Sequence, residues 1–310
     1  MNQKYFARIV AIMLLLYVQS VGTMTRNFYT SKGAGTEEKL GINCYSNIPI
    51  DGLGTNVIIH EFGHNLGLMD YYDVNHSGID AVGKFDMQSQ NVGDWNPYSK
   101  YSVGWITPEV VTGLESGESI EIEIGAFADT GDAIVIPGAQ SEYNGNPFGE
   151  YILIDLFTDH GLNEADAESF GLKDALGIRI YHVNSVMEGR VLSLNGYELQ
   201  DSDIREGDEV YPIGTINKGN TYSGIGSYHL ELIQAGGNNT FTDLSNMAEL
   251  YTFLRQDDLF VEGDVFDAAE YTEFFYNGLL DDRTDFGYVI ETVSITEGDA
   301  PTATVRITRK

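Results

Sequence analysis

The sequence predicts an α+β chain: a loop-rich first part built around one helix, then a β-rich, sandwich-like region of antiparallel strands. Three observations predict it. Residues 43–108 are punctuated by Gly, Asn and Asp and hold one run with helical start and stop signals. Ser119-Ile120-Glu121-Ile122-Glu123-Ile124 alternates strictly between polar and apolar, the period of a half-buried strand. Turn signals then recur: Asn144-Gly145-Asn146-Pro147, Glu206-Gly207-Asp208 and Gly236-Gly237-Asn238-Asn239.

Taken in order, the chain opens with Lys4 and Arg8 ahead of an apolar run over 9–18, with small Ser20 and Gly22 after it. This reads as a signal peptide over 1–22, too short in its apolar part to span a membrane. The alternative is a core strand or helix of the folded domain. The helix starts near Gly54-Thr55, where Thr55 can cap, and runs through Leu66. Gly67 stands where a helix end favours positive φ. Strands follow over 119–124, 133–136, 151–156, 178–183, 228–233, 288–295 and 302–307.

Composition narrows the function. With 17 basic and 47 acidic residues the net charge is −30, which excludes nucleic acid and anionic membrane surfaces as partners. Such an excess suits a soluble extracellular protein or carboxylates that bind calcium, and a solvated acidic surface accounts for most of it. Hydrophobic residues at 42% and aromatics at 12% exclude global disorder. Cys44 is the single cysteine, so no internal disulfide forms; it is a small buried residue or a thiolate ligand.

The chemistry concentrates in His60-Glu61-Phe62-Gly63-His64. On a helix the two histidines share one face about 6 Å apart, so both imidazoles reach one ion. Neutral imidazole suits zinc. Glu61 is rotated by about 100° and reaches a water on the open coordination position instead. Gly67 ends the helix and lets the chain return, which makes Asp70 the third ligand. The alternative for Asp70 is a carboxylate that only orients a histidine, with Asp73, His76, Asp80 and Asp86 in competition. His160, His182 and His229 read as packed or surface imidazoles.

The run HEFGHNLGLMDYYD over 60–73 resembles the immune inhibitor A-like secreted zinc metalloproteases of the zincin superfamily. Gly83-Lys84-Phe85-Asp86-Met87 with Asn91 and Gly93-Asp94 is similar to the family's methionine-containing turn. Pro97-Tyr98-Ser99-Lys100-Tyr101 and Gly104-Trp105-Ile106-Thr107-Pro108 resemble the segment closing the catalytic domain. A looser likeness runs on to residue 296. The resemblance implies His60, His64 and Asp70 as zinc ligands, Glu61 as general base and Met87 as a packing floor. It also implies calcium, with no ligands assigned. It divides the chain into a signal peptide (1–22), a zincin-type catalytic region (23–110) and a β-rich region (111–310). Two departures stand out: Met69 replaces the usual proline, and only 59 residues precede His60, which reads as an N-terminally truncated module.

The resulting expectation is a secreted zinc metalloendopeptidase, a hydrolase of peptide bonds in extracellular proteins, with the attacking water activated by Glu61. Its partners are protein or peptide substrates. Tyr98 and Tyr101 are candidate oxyanion donors, and plain packing is the alternative for both. The rival reading is a truncated or inactive relative that serves as an acidic, calcium-stabilised extracellular binding module.

Overall fold

The computed structural model describes residues 24–27, 44–47, 54–72, 79–192, 198–199, 211–214, 228–242 and 253–310. The signal-peptide stretch, Asp73, His76 and the Glu206-Gly207-Asp208 turn lie outside the described residues. By its internal contacts the chain forms two compact units. The first holds 1–69 and 90–92, and the second 70–89 and 93–310.

In the first unit, β1 (Met24–Asn27) pairs antiparallel with β2 (Cys44–Asn47), and the helix α1 (Thr55–Leu66) packs beside them. Gly54, not Thr55, is the N-cap, and no side chain caps the helix. This corrects the sequence expectation: Thr55 is already inside the first turn. The C-terminus forms as expected. Gly67 has φ 100°, its amide donates to the His64 carbonyl (3.0 Å), and the Leu68 amide donates to the Gly63 carbonyl (3.0 Å). This pair of bonds is a Schellman cap, which turns the chain back along the helix.

The second unit is mostly sheet. It contains α2 (Pro97–Ser102), β3 (Glu109–Val110), β4 (Ser119–Gly125), α3 (Phe127–Thr130), β5 (Ile134–Pro137), β6 (Glu150–Thr158), α4 (Glu164–Ala167) and β7 (Leu176–Asn184). Next come β8 (Met187–Leu192), β9 (Glu198–Leu199), β10 (Tyr211–Gly214), β11 (Leu230–Ile233), β12 (Val265–Phe266), β13 (Tyr288–Thr296) and β14 (Thr302–Arg309). Five strands are ordered β11-β7-β6-β5-β3, four are ordered β12-β13-β14-β4, and β10-β8-β9 form a small third sheet. The seven runs read as strands from the sequence all form, each within a few residues of the expected bounds.

Alternation explains the four-stranded sheet. Ile122 and Ile124 of β4 are buried with Ala303, Val305 and Ile307 of β14, while Ile120 stays exposed at the strand end. These side chains join Ile134, Ile152, Ile154, Ile178 and Ile180 of the five-stranded sheet in one core. Central strands β6 and β7 are buried on both faces. Their second face carries Tyr151, Phe157 and Tyr181, and Phe85 meets Phe157 edge-on at 5.8 Å. Arg179 and Asp155 are cross-strand neighbours on that face and form a buried, two-point ion pair.

The stretches 79–89 and 93–96 of this unit, with Phe85 against this face, are held by buried carboxylates. Asp80 accepts from the amides of Val82 (3.1 Å) and Lys84 (3.2 Å) and from the Ser89 hydroxyl. Asp86 accepts from the Gln88 amide (2.7 Å) and from the Asn96 amide (3.1 Å) and side chain (2.8 Å). Asn96 in turn caps α2 by accepting from the Ser99 amide, with Pro97 at the first helical position. Gly93 must be glycine here, since φ is 69° and a Cβ would stand 2.7 Å from the Phe85 ring.

Burial pushes the Asp86 carboxyl up from 3.8 to about 7, against the hydrogen bonds that lower it. A raised acid pKa stabilises the fold fully below the unfolded value near 4, and that contribution is lost as pH rises through about 7. Asp86→Asn, which replaces an acceptor by a donor, is expected to destabilise by about 1–3 kcal/mol. Denaturant titrations at pH 5 and pH 8 should show the larger gap at pH 5.

Candidate metal centre

The helix α1 presents its histidines as the four-residue spacing requires. His60 is buried and His64 half-buried, and their rings stand at 90° with centroids 4.7 Å apart. The two Nε2 atoms face each other at 3.1 Å. Two imidazole nitrogens on a tetrahedral zinc, each at ~2.0–2.1 Å, stand about 3.4 Å apart. The observed separation is close to that of a shared ion.

The Schellman cap sets the tautomer. Because Gly67 turns the chain back, the Leu68 carbonyl reaches His64 and lies 2.9 Å from Nδ1. A carbonyl only accepts, so Nδ1 carries the proton and neutral His64 presents the Nε2 lone pair. An imidazole ligand oriented through its other nitrogen in this way is what a metal site needs. Asp70 follows two residues later, and one ligand atom from each of His60, His64 and Asp70 lies within 4.8 Å of the others. The donor set of two imidazoles and one carboxylate fits a zinc-type ion. Glu61 is buried next to His60 in the chain.

A Cβ on Gly67 meets nothing within 4 Å, so the cost of a side chain there is conformational alone. Gly67→Ala is expected to destabilise by about 1–2 kcal/mol through its left-handed backbone. It should also weaken zinc binding, since Leu68 and its carbonyl follow directly. Thermal unfolding and a chelator competition read the two effects separately.

The other candidates are otherwise engaged. Asp80 and Asp86 serve as turn acceptors, as described above. Tyr98 is buried, its ring meets His229 edge-on at 4.7 Å, and burial raises its hydroxyl to about 12. The Tyr101 hydroxyl bonds to Tyr143 (2.7 Å) and donates to the Gly145 carbonyl (2.7 Å). Met87 is buried, with its amide donating to the Asp94 carbonyl. Cys44 lies in β2. His160 is half-exposed beside Asp159, and His229 packs between Tyr71 and Tyr98. His182 is the exception. It is buried and joins Glu150 and Asp281 in a second group whose ligand atoms lie within 4.8 Å of one another. No spacing in the sequence joins positions 150, 182 and 281; the β6–β7 register brings the first two together, and the loop before β13 adds Asp281.

Residues 16–100 match the family model of the immune inhibitor A peptidase M6 catalytic domain. That segment is similar to the catalytic domain of the immune inhibitor A peptidases. It covers less than a third of the chain and contains α1, Asp70 and the turns up to the first residues of α2. A comparison with curated proteins finds no match. A metalloprotease family implies a metal, and the His-His-Asp group is where this chain gathers donors for one. A peptidase family acts on proteins or peptides. Among the described residues no helix is long and apolar enough to cross a membrane.

Proposed function

We propose that this chain is a secreted, zinc-dependent endopeptidase whose metal is held by His60, His64 and Asp70. The observation that carries the proposal is the Nε2–Nε2 approach of 3.1 Å, together with the His64 Nδ1 proton committed to the Leu68 carbonyl. The zincin architecture and a sandwich of the two larger sheets belong to the same reading. So do export to the extracellular space and the extracellular substrates.

When bound, the zinc polarises the scissile carbonyl and makes the attacking water more acidic. The rest is the work of the side chains. His60 and His64 present neutral nitrogens on one helix face, and the Leu68 carbonyl keeps the second of them in that tautomer. Asp70 supplies one negative charge, which offsets half the charge of a divalent ion. Glu61 takes the proton of the attacking water at its carboxylate and passes it to the leaving amine. The resemblance also suggests calcium binding, with no ligands assigned; bound calcium would raise the melting temperature.

The test is casein hydrolysis by the purified chain, abolished by a zinc chelator and restored by zinc. Hydrolysis that survives full removal of zinc would contradict the reading. A second reading, a binding module without peptidase activity, draws on the β-rich part beyond residue 100, which the family match does not reach. It predicts no hydrolysis under any metal condition.

A further inference from the structure

We propose that Glu150, His182 and Asp281 form a second metal site, suited to a transition-metal dication such as zinc and unsuited to calcium. The site lies wholly in the second unit and does not depend on the peptidase reading.

Strand register builds it. In β6 and β7, Glu150 pairs with Asn184 and Ile152 with His182, and in β11 Glu231 pairs with His182. The pleat therefore puts Glu150, His182, Asn184 and Glu231 on one face of the five-stranded sheet. This is the face whose neighbouring positions, Ile152, Ile180 and Ile233, line the shared core. A polar cluster thus replaces the apolar one at one end of the sheet. Asp281 reaches it from the loop before β13, and the Phe275 ring lies 5.0 Å from His182.

The donors are oriented as metal ligands are. Glu150 Oε1 lies 2.9 Å from His182 Nε2 and accepts from the Asp281 amide (2.6 Å). Its Oε2 accepts from the Asp282 amide (3.1 Å). Asp281 Oδ2 accepts from the Asn184 side chain (2.7 Å). Each carboxylate is thereby aimed by a neighbour, the arrangement that outer groups impose on ligands. The cluster brings three carboxyl groups, those of Glu150, Asp281 and Glu231, to one imidazole. His182 and Glu231 are each more than nine-tenths buried. Buried carboxylates in that ratio are stabilised by a shared cation. One nitrogen and two carboxylate oxygens suit zinc, cobalt or manganese, whereas calcium takes six to eight oxygens. The plain alternative is a metal-free His182–Glu150 ion pair that ties the loop down.

The experiment uses the full chain carrying His60→Ala and His64→Ala, which removes the first site. Zinc content after dialysis and affinity by competition with a chromophoric chelator are measured with and without calcium. The proposal expects one zinc equivalent to remain, and expects Asp281→Asn and His182→Gln in this background to weaken it ten-fold or more. Cobalt is expected to give visible absorption bands that the same substitutions remove. Absence of bound zinc in the background, or zinc whose affinity neither substitution changes, would overturn the proposal. Displacement of zinc by equimolar calcium would overturn its metal class. Should His182→Gln fail to fold, the loop variant Asp281→Asn decides alone.

Discussion

Glu61→Gln is expected to lower peptide-bond hydrolysis by about 10²–10⁴-fold, the usual worth of a positioned general base, while zinc stays bound. The amide keeps the shape of the carboxylate but cannot take a proton from water. The proposed ligands are His60, His64 and Asp70, none of which the substitution touches. A casein assay and metal analysis on the same sample read both outcomes. Loss of zinc together with activity would recast Glu61 as a residue that holds the site. Activity near that of the parent chain would remove it from the mechanism altogether.

Arg179→Met is expected to be the most destabilising single change in the second unit, by about 3–5 kcal/mol, because it leaves a buried carboxylate without its cation. Arg179 bonds Asp155 at two points, and its guanidinium lies over Phe157 (5.0 Å) and Tyr181 (5.5 Å). Burial already holds the Asp155 carboxyl above its usual value, and the Arg179 charge is the largest influence opposing that rise. Without Arg179 the carboxyl moves higher. A raised acid pKa gives stability that is present at low pH and lost as pH rises, so the defect should deepen from pH 5 to pH 8. Urea unfolding at both pH values checks the size and the sign. Adding Asp155→Leu to the variant should recover part of the loss, since paired apolar replacements remove the stranded charge.

Local periodicity and punctuation made much of this molecule legible in advance. The four-residue spacing of His60 and His64 and the helix stop at Gly67 specified the helix face and its exit. Alternation over 119–124 likewise specified which isoleucines of β4 turn inward, with the end position Ile120 left outside. The N-cap lies one residue before the expected Thr55, because Gly54 and Thr55 are adjacent and both are tolerated at an N-cap. Asp80 and Asp86 resembled possible ligands in the sequence, yet each spends its oxygens on nearby amides and on a second buried side chain. Sequence distance hides such partners.

The same limit applies to the cluster at the end of the five-stranded sheet. Glu150 and Asp281 are 131 positions apart, and His182 reads singly as an imidazole in a strand. Their meeting depends on the register of β6 with β7 and on where the loop before β13 lies, tertiary choices that no short window encodes. The link from Gly67 to the His64 tautomer was half visible. The glycine announced a helix end, but the carbonyl that the resulting turn delivers to His64 Nδ1 appears only with the backbone in three dimensions.

The measurement that bears most directly on the metal centre is anomalous diffraction at the zinc absorption edge from crystals of the zinc-loaded chain. The account predicts a peak at bonding distance, ~2.0–2.2 Å, from His60 Nε2, His64 Nε2 and an Asp70 carboxylate oxygen. Crystals with zinc elsewhere and no peak between those three side chains would contradict it.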